Sequence, residues 1–226
     1  ALVLGVLVAI TAHYFVEGAR YLLSLRDVQL LTLNIRNQNY SVVPIVFMLI
    51  SAGLIILVRR SLGVTKWSGP ADSIYALHQP KVGVDVGIGI GSTIAAFISA
   101  GGGASVGQYG PLVHFGATLG SFIQHRFRFG ITTDVYIGCG VAGAIAAGFN
   151  APIAAIVFAH EAILRHFSLR TVAPIAISSI SAASISSWAF GGNRLFQIEV
   201  IPVPLLTLMP VALICGPIFG LLAVLY

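Results

Sequence analysis

The chain alternates long apolar stretches with short polar breaks. Ala1 to Leu25 is apolar and long enough to cross a bilayer, which takes about 20 residues. Glu17 and Arg20, one helical turn apart near its end, are spaced to pair. Arg26 to Tyr40 is polar and predicts a loop. Val42 to Val58 predicts a second span, closed by Arg59, Arg60 and Lys66, a basic cluster typical of a cytoplasmic end. Arg26 and Arg36 on the other side oppose that orientation.

Beyond Lys66 the segments become uneven. Ser68-Gly69-Pro70 is a helix-start signal, with a serine able to cap and a proline suited to the first turn. Ala71 to Gln79 is too short to span before Pro80 interrupts it, which makes it a candidate half-helix. Val82 to Ile90 alternates like a strand. Gly83, Gly87, Gly91 and Ala95 nevertheless recur at helical spacing, a small-residue seam for close helix packing, with Lys81 and Asp85 spaced to pair. That helix should end at Gly101, Gly102 and Gly103. Gly107 to Gly110 predicts an irregular turn, and Pro111 opens a new helix that ends in His125, Arg126 and Arg128. Thr132 to Gly148 is short and rich in Gly and Ala. Asn150-Ala151-Pro152 restarts a helix to about His166, with Asn150 as its cap. Arg170 to Phe190 carries Ser178, Ser181, Ser184 and Ser186 for tight helix contacts. Gly191 to Pro204 reads as a loop and Leu205 to Tyr226 as a last span. Segments that reach across, mixed with segments that do not, are the pattern of a transporter or channel with broken helices.

Composition fixes the class. Hydrophobic residues make up 57% of the 226 and charged residues 8%, with a mean hydropathy of +0.96. Soluble domains are about one quarter charged, so this is a multi-pass integral membrane protein with the lipid bilayer as its surroundings. The net charge of +5 is scattered and forms no basic stripe, which excludes nucleic acid as a partner. Cys139 and Cys215 lie inside apolar segments and read as core residues, with no disulfide or metal implied. Ala1 opens directly into an apolar run and Tyr226 stops within another, so both ends read as cuts through a longer protein.

The breaks also suggest chemistry. A helix start offers free backbone N–H groups and a partial positive charge, and so attracts anions. Broken backbone within a bilayer survives only where protein or a cavity surrounds it. The first hypothesis is therefore an anion site inside the membrane, built by the starts near Ser68 and Pro111. Enzyme readings fail on spacing. Gly102 to Gln108 imitates a phosphate loop, but Gln108 stands where a lysine is needed. His160 and His166 are too far apart for a zinc-protease helix, whose histidines lie four apart. Ser105 as an intramembrane nucleophile has no placed base. A non-conducting membrane scaffold is a further class.

Two blocks resemble a known family. Gly107-Gln108-Tyr109-Gly110-Pro111 is similar to the G-[KR]-E-G-P signature of the CLC chloride channels and chloride/proton antiporters. Gly140 to Glu161, reading Gly-Val-Ala-Gly-Ala-Ile-Ala-Ala-Gly-Phe-Asn-Ala-Pro-Ile-Ala-Ala-Ile-Val-Phe-Ala-His-Glu, resembles the family's G-x-A-A-G-x-A-A-x-F-N-A-P-[LI]-A-G-x-[LV]-F-x-x-E-E. Ser68-Gly69-Pro70 resembles its G-S-G-I-P more loosely.

The resemblance implies an all-α inverted-repeat fold with broken, tilted helices, and usually a homodimer with one ion pathway per subunit. It would make the chain a single transmembrane domain fragment, with the first repeat over about 1–190 and the second opening over about 204–226. The family's second-half G-x-F-x-P and its pathway tyrosine are not in this sequence.

The resemblance further implies anion binding by Ser68, Gly69, Gln108, Tyr109 and Gly110. Gly107, Pro70, Pro111, Asn150 and Pro152 would shape the backbone. The resemblance implies chloride as the transported ion and no cofactor.

Departures from the pattern bear on mechanism. The family's gating glutamate is Tyr109 here. A tyrosine stays protonated at physiological pH, so it donates a hydrogen bond to an anion and cannot mimic one. Aligned from Asn150, Glu161 matches the first glutamate of the Glu-Glu pair and Ala162 replaces the second, which carries protons in the antiporters. Both proton-handling carboxylates are missing. This implies passive anion conduction without tight proton coupling, with an antiporter using other proton carriers as the alternative. Glu161 is better read as a surface carboxylate, and His114 as a packed, hydrogen-bonded histidine without a functional role.

Overall fold

The structure, a computed structural model, describes residues 1–26, 32–35, 38–79, 84–127, 130–191 and 205–225. Helices dominate in the order α1 (Leu2–Arg26), α2 (Val43–Ser61), α3 (Pro70–His78), α4 (Val86–Gly101), α5 (Tyr109–Arg126), α6 (Thr133–Phe149), α7 (Pro152–Phe158), α8 (Leu169–Phe190) and α9 (Leu205–Leu225). A π-helical stretch, Ala159–Leu164, continues α7. The polar stretch after α1 is not simply a loop. It contains the antiparallel strands β1 (Thr32–Ile35) and β2 (Gln38–Ser41), paired from Thr32 with Ser41 to Ile35 with Gln38. The chain divides into two compact units, Ala1–Arg194 and Leu195–Tyr226.

Among the described residues four helices are long and apolar enough to cross a membrane: Leu2–Leu25, Val43–Ser61, Leu169–Phe190 and Leu208–Leu225. The shorter apolar helices are Val86–Gly101, Thr133–Phe149 and Pro152–Leu164. The central one is α6, buried without a break from Val135 to Ala147. Only Gly, Ala and a few larger residues fit there, because α1, α5, α7 and α8 all pack on it. α1 presents Leu4, Val8, Ala12, Phe15 and Ala19 inward, a helical stripe. In contrast, α2 exposes Ile45, Leu49, Ile56 and Leu57, as a lipid-facing helix does.

Small residues set the closest crossing. A methyl group on Gly116 would run into the Gly140 carbonyl, and one on Gly140 into the Gly116 carbonyl, so α5 and α6 touch backbone to backbone. Gly120 repeats the contact one turn on, against the Tyr136 carbonyl. Serines do the polar work on α8. Ser178 Oγ donates to the Cys139 carbonyl at 2.8 Å, Ser186 Oγ to the Ala147 carbonyl at 3.1 Å, and Ser179 Oγ to the Pro152 carbonyl at 2.8 Å. Ser181 Oγ bonds its own helix at the Ser178 carbonyl, and Ser184 is exposed.

The seam expected along α4 differs. Gly83 and Lys81 lie outside the described residues, as do Pro80, Arg128 and 192–204. The tight approach to α5 comes from Gly89, where an added Cβ would strike Thr118, while Gly91 faces Val64 and Gly87 is exposed. Asp85 caps the helix, its Oδ1 accepting from the Ile88 N–H at 3.0 Å, while its expected partner Lys81 lies outside the described residues. The triple glycine does end α4, with Gly102 at the cap and Gly103 at φ +92°.

Candidate functional site

Three helix starts meet at one cavity. Its volume is about 440 Å³, and it is lined by Pro70 from α3, by Tyr109, Gly110 and Val113 from α5, by Ile145 and Phe149 from α6, and by Ala151, Ala154 and Phe158 around α7. Each of the three helices that start here, α3, α5 and α7, has a proline in its first turn. Pro70 and Pro152 are the first helical residues and Pro111 is the third, since α5 already begins at Tyr109. Proline removes an N–H that would lack an intrahelical acceptor and fixes φ for the turn. The starts of α3 and α5 adjoin closely enough that a Cβ on Gly110 would lie 3.9 Å from Pro70 Cγ.

The lining surface is wholly apolar: Tyr109 is the one lining residue with a polar side-chain group, and its hydroxyl adds nothing to that surface. Any attraction for an anion there must come through the dipoles and N–H groups of the helix starts behind it. The Tyr109 ring stacks at a tilt on Phe149, with centroids 4.1 Å apart and planes at 34°. It also covers Gly148, where an added Cβ would come within 2.7 Å of the ring. Tyr109 is thus both a packing residue and a cavity residue. The Arg20 guanidinium on α1 is near enough to act electrostatically on its hydroxyl, and Arg20 itself pairs with Glu17 at 2.8 Å.

Two capping expectations need correction. Asn150 does not cap α7. It closes α6 in the left-handed conformation at φ 52°, Ala151 precedes α7, and Asn150 Oδ1 accepts from Ser187 Oγ at 2.9 Å. Ser68 does not cap α3. Gly69 holds that position, and the Asp72 carboxylate reaches back to accept the Gly69 N–H at 2.8 Å while pairing with Lys66 at 3.2 Å. Asp72, three residues after the cap position, carries a capping signal that is legible in the sequence.

Ser68 borders a second cavity of about 230 Å³, lined by Lys66, Ser68, Asp72, Tyr75, Ala76, Val84, Asp85 and His114. The structure therefore gathers Pro70, Tyr109 and Gly110 at the first cavity and sets Ser68 at its neighbour. Gly107 and Gln108 line neither cavity. Glu161 lies exposed on the π-helical stretch. Among the described residues no cluster of His, Cys, Asp and Glu could hold a metal, and both cysteines are free thiols.

Residues 55–226 match the family described as voltage gated chloride channel. The chain belongs to this family. Its relatives include a voltage-gated ClC-type chloride channel, ClcB, of Yersinia pseudotuberculosis, 25% identical over 175 residues, or 77% of this chain and 41% of that protein. The H(+)/Cl(-) exchange transporter ClcA of Vibrio cholerae is 31% identical over 130 residues, covering 56% of this chain and 28% of the relative. A CLC-type fluoride/proton antiporter shares the fold at a TM-score of 0.72 and 22% identity, over 97% of this chain and 53% of its own. A slow cyanobacterial Cl-/H+ antiporter matches at a TM-score of 0.70 and 21% identity, over 98% and 53%. The chain thus spans about half the length of these solved proteins and less of the curated relatives. The all-α CLC-type fold and integral membrane character of the family are those of this chain.

Proposed function

We propose that the complete protein moves chloride or a similar small anion across a lipid bilayer, and does so passively. The observation that carries this reading is the cavity shared by Pro70, Tyr109, Gly110 and Ala151, where the starts of α3, α5 and α7 meet. An ion in an apolar pocket is tolerated only where dipoles replace its water, and helix starts supply them. Tyr109, at the family's glutamate position, supports conduction without tight proton coupling, because a phenol has no carboxylate to compete with chloride or carry its proton. Ser68, Gly69 and Gln108 enter as further anion contacts reached from the adjoining stretches. The reading includes no cofactor and no catalysis, a homodimer as the assembly, a first repeat over about 1–190 and the opening of a second from about 204. Reconstitution of the full-length protein in liposomes, with chloride flux and external pH recorded together, tests it. Chloride flux without proton counter-movement is expected, and stoichiometric counter-movement overturns the passive reading.

A second reading, anion/proton exchange, draws on the names of ClcA and of the two antiporters that share the fold. It requires a proton carrier other than the two replaced carboxylates. The same experiment separates the two readings.

A further inference from the structure

The link between the π-helical stretch and α8 turns two apolar side chains outward. Phe167 is 69% exposed and Leu169 is 94% exposed, and the exposed Arg165 and Arg170 flank them. Among the described residues neither guanidinium has an ion-pair partner. Of the carboxylates on the adjoining elements, Asp134 is engaged by His166, and Glu161, four residues before Arg165, does not pair with it. The link is nevertheless fixed from within. The Phe167 ring stacks on His160, with centroids 4.9 Å apart and planes at 10°. His160 is fully buried and held at both ring nitrogens, by the Ile156 carbonyl at 2.9 Å and by Thr171 Oγ1 at 3.2 Å. His166 spans the Leu164 carbonyl at 3.0 Å and the Asp134 carboxylate at 3.4 Å. Ser168 Oγ caps α8 by accepting the Arg170 N–H at 3.3 Å.

We infer that this link is a docking surface for an anionic phospholipid, whose phosphate is received by Arg165 and Arg170 and whose upper acyl carbons cover Phe167 and Leu169. The position fits. Leu169 opens Leu169–Phe190, a helix long and apolar enough to cross a membrane, so the link falls where hydrocarbon gives way to headgroups. At that level apolar side chains insert, while arginines reach up to phosphates. Charge complementarity selects lipid. A second copy docked here face to face would set arginine against arginine, whereas phosphate oxygens accept guanidinium N–H groups directly. The same side of the molecule carries a further exposed cation. α5 and α6 run antiparallel, Gly116 lying by Gly140 and Gly120 by Tyr136, and Gln124 bonds Thr133 at 2.6 Å. Arg126, at the end of α5, therefore lies near the start of α6, where Asp134 meets His166. Neither cavity described above is lined by these residues, so the lipid contact stands whether or not an anion binds at the larger one.

The test uses the full-length protein in nanodiscs of phosphatidylcholine with a minor share of phosphatidylglycerol. Phe167→Trp keeps a flat ring on His160 and adds a fluorophore, read as the difference from the parent protein. Bromine on the acyl chains of one lipid or the other quenches that emission on contact. Brominated phosphatidylglycerol should quench it more than brominated phosphatidylcholine at the same mole fraction, reporting a local enrichment of about tenfold or more for two arginines. The preference should vanish when Arg165→Gln and Arg170→Gln are added. Equal quenching by the two lipids overturns the inference, and so does a preference that survives the loss of both arginines. Quenching by neither lipid means that protein covers the link, a second copy or a further part of the chain, and overturns it as well. Should Phe167→Trp fail to fold, native mass spectrometry of the unaltered protein released from the same nanodiscs counts the phosphatidylglycerol it retains. A count unchanged in the Arg165→Gln, Arg170→Gln double variant then overturns the inference, and a lower count supports it.

Discussion

The Tyr109 ring lies against Phe149 at a centroid distance of 4.1 Å, which ties the first residue of α5 to the last of α6. The hydroxyl and the ring of Tyr109 can therefore be separated by mutation. Tyr109→Phe keeps the packing and removes the one polar side-chain group among the residues that line the larger cavity. A hydrogen bond to an ion contributes about 1.5–3 kcal/mol, so chloride affinity should fall about tenfold or more while thermal stability holds. Calorimetry and a melting curve on the full-length variant check this, and unchanged affinity would remove the hydroxyl from the site.

Tyr109→Ala acts on both parts. The half-buried ring is lost from Gly148 and Phe149, at about 1–3 kcal/mol, somewhat below the usual cost in a fully buried core. The cavity also loses its bulkiest wall. Anion flux through liposomes should rise above that of Tyr109→Phe. A flux below it would mean that the ring holds the pathway open instead of narrowing it.

The crossing of α5 and α6 at Gly116 and Gly140 should be the least tolerant point of the fold. A single methyl group at either glycine meets backbone that cannot rotate away. Gly140→Ala should lower the melting temperature, with overpacking costs of about 1–3 kcal/mol. Gly53→Ala on α2 meets nothing within 4 Å and should be neutral or slightly stabilising. Equal melting temperatures for the two variants would show that the helices can separate there without penalty.

These cases mark what could be read from the sequence. Helix breaks at Gly101–Gly103, Pro111 and Pro152 were legible because glycine and proline act through their own backbone. The convergence of Pro70, Tyr109 and Gly110 was legible only as a hypothesis, since it depends on how three helices turn toward one another. Spacing alone points to Gly83, Gly87, Gly91 and Ala95 as a seam; Gly91 packs tightly on Val64 and Ala95 is buried, but the close approach to α5 falls on Gly89 against Thr118. Thr32–Ile35 alternates polar and apolar residues, but four residues inside a polar stretch are too short a signal to set a strand apart from a loop, and Gln38–Ser41 holds a single apolar residue, Tyr40. His114 was expected to be satisfied. Its Nδ1 is satisfied and its Nε2 is not, a distinction that only the packing of α3 on α5 creates.

Asn150 offers a test of that difference between local and tertiary control. Read locally, it caps α7, and its replacement by alanine would cost the cap. In the structure it holds φ 52° at the end of α6, where a Cβ is a liability, and among the described residues its amide bonds only the exposed Ser187. Asn150→Gly should then be close to neutral, because glycine enters the left-handed region freely. Asn150→Ala should cost about 1 kcal/mol, the penalty of that conformation for an ordinary residue. A capping role also favours glycine over alanine, so serine separates the accounts: it caps as well as asparagine but carries the Cβ penalty of the left-handed region. Melting curves of Asn150→Ser and Asn150→Gly in the same detergent decide: a loss with serine and none with glycine supports the left-handed turn, and a serine variant as stable as the parent would return Asn150 to α7.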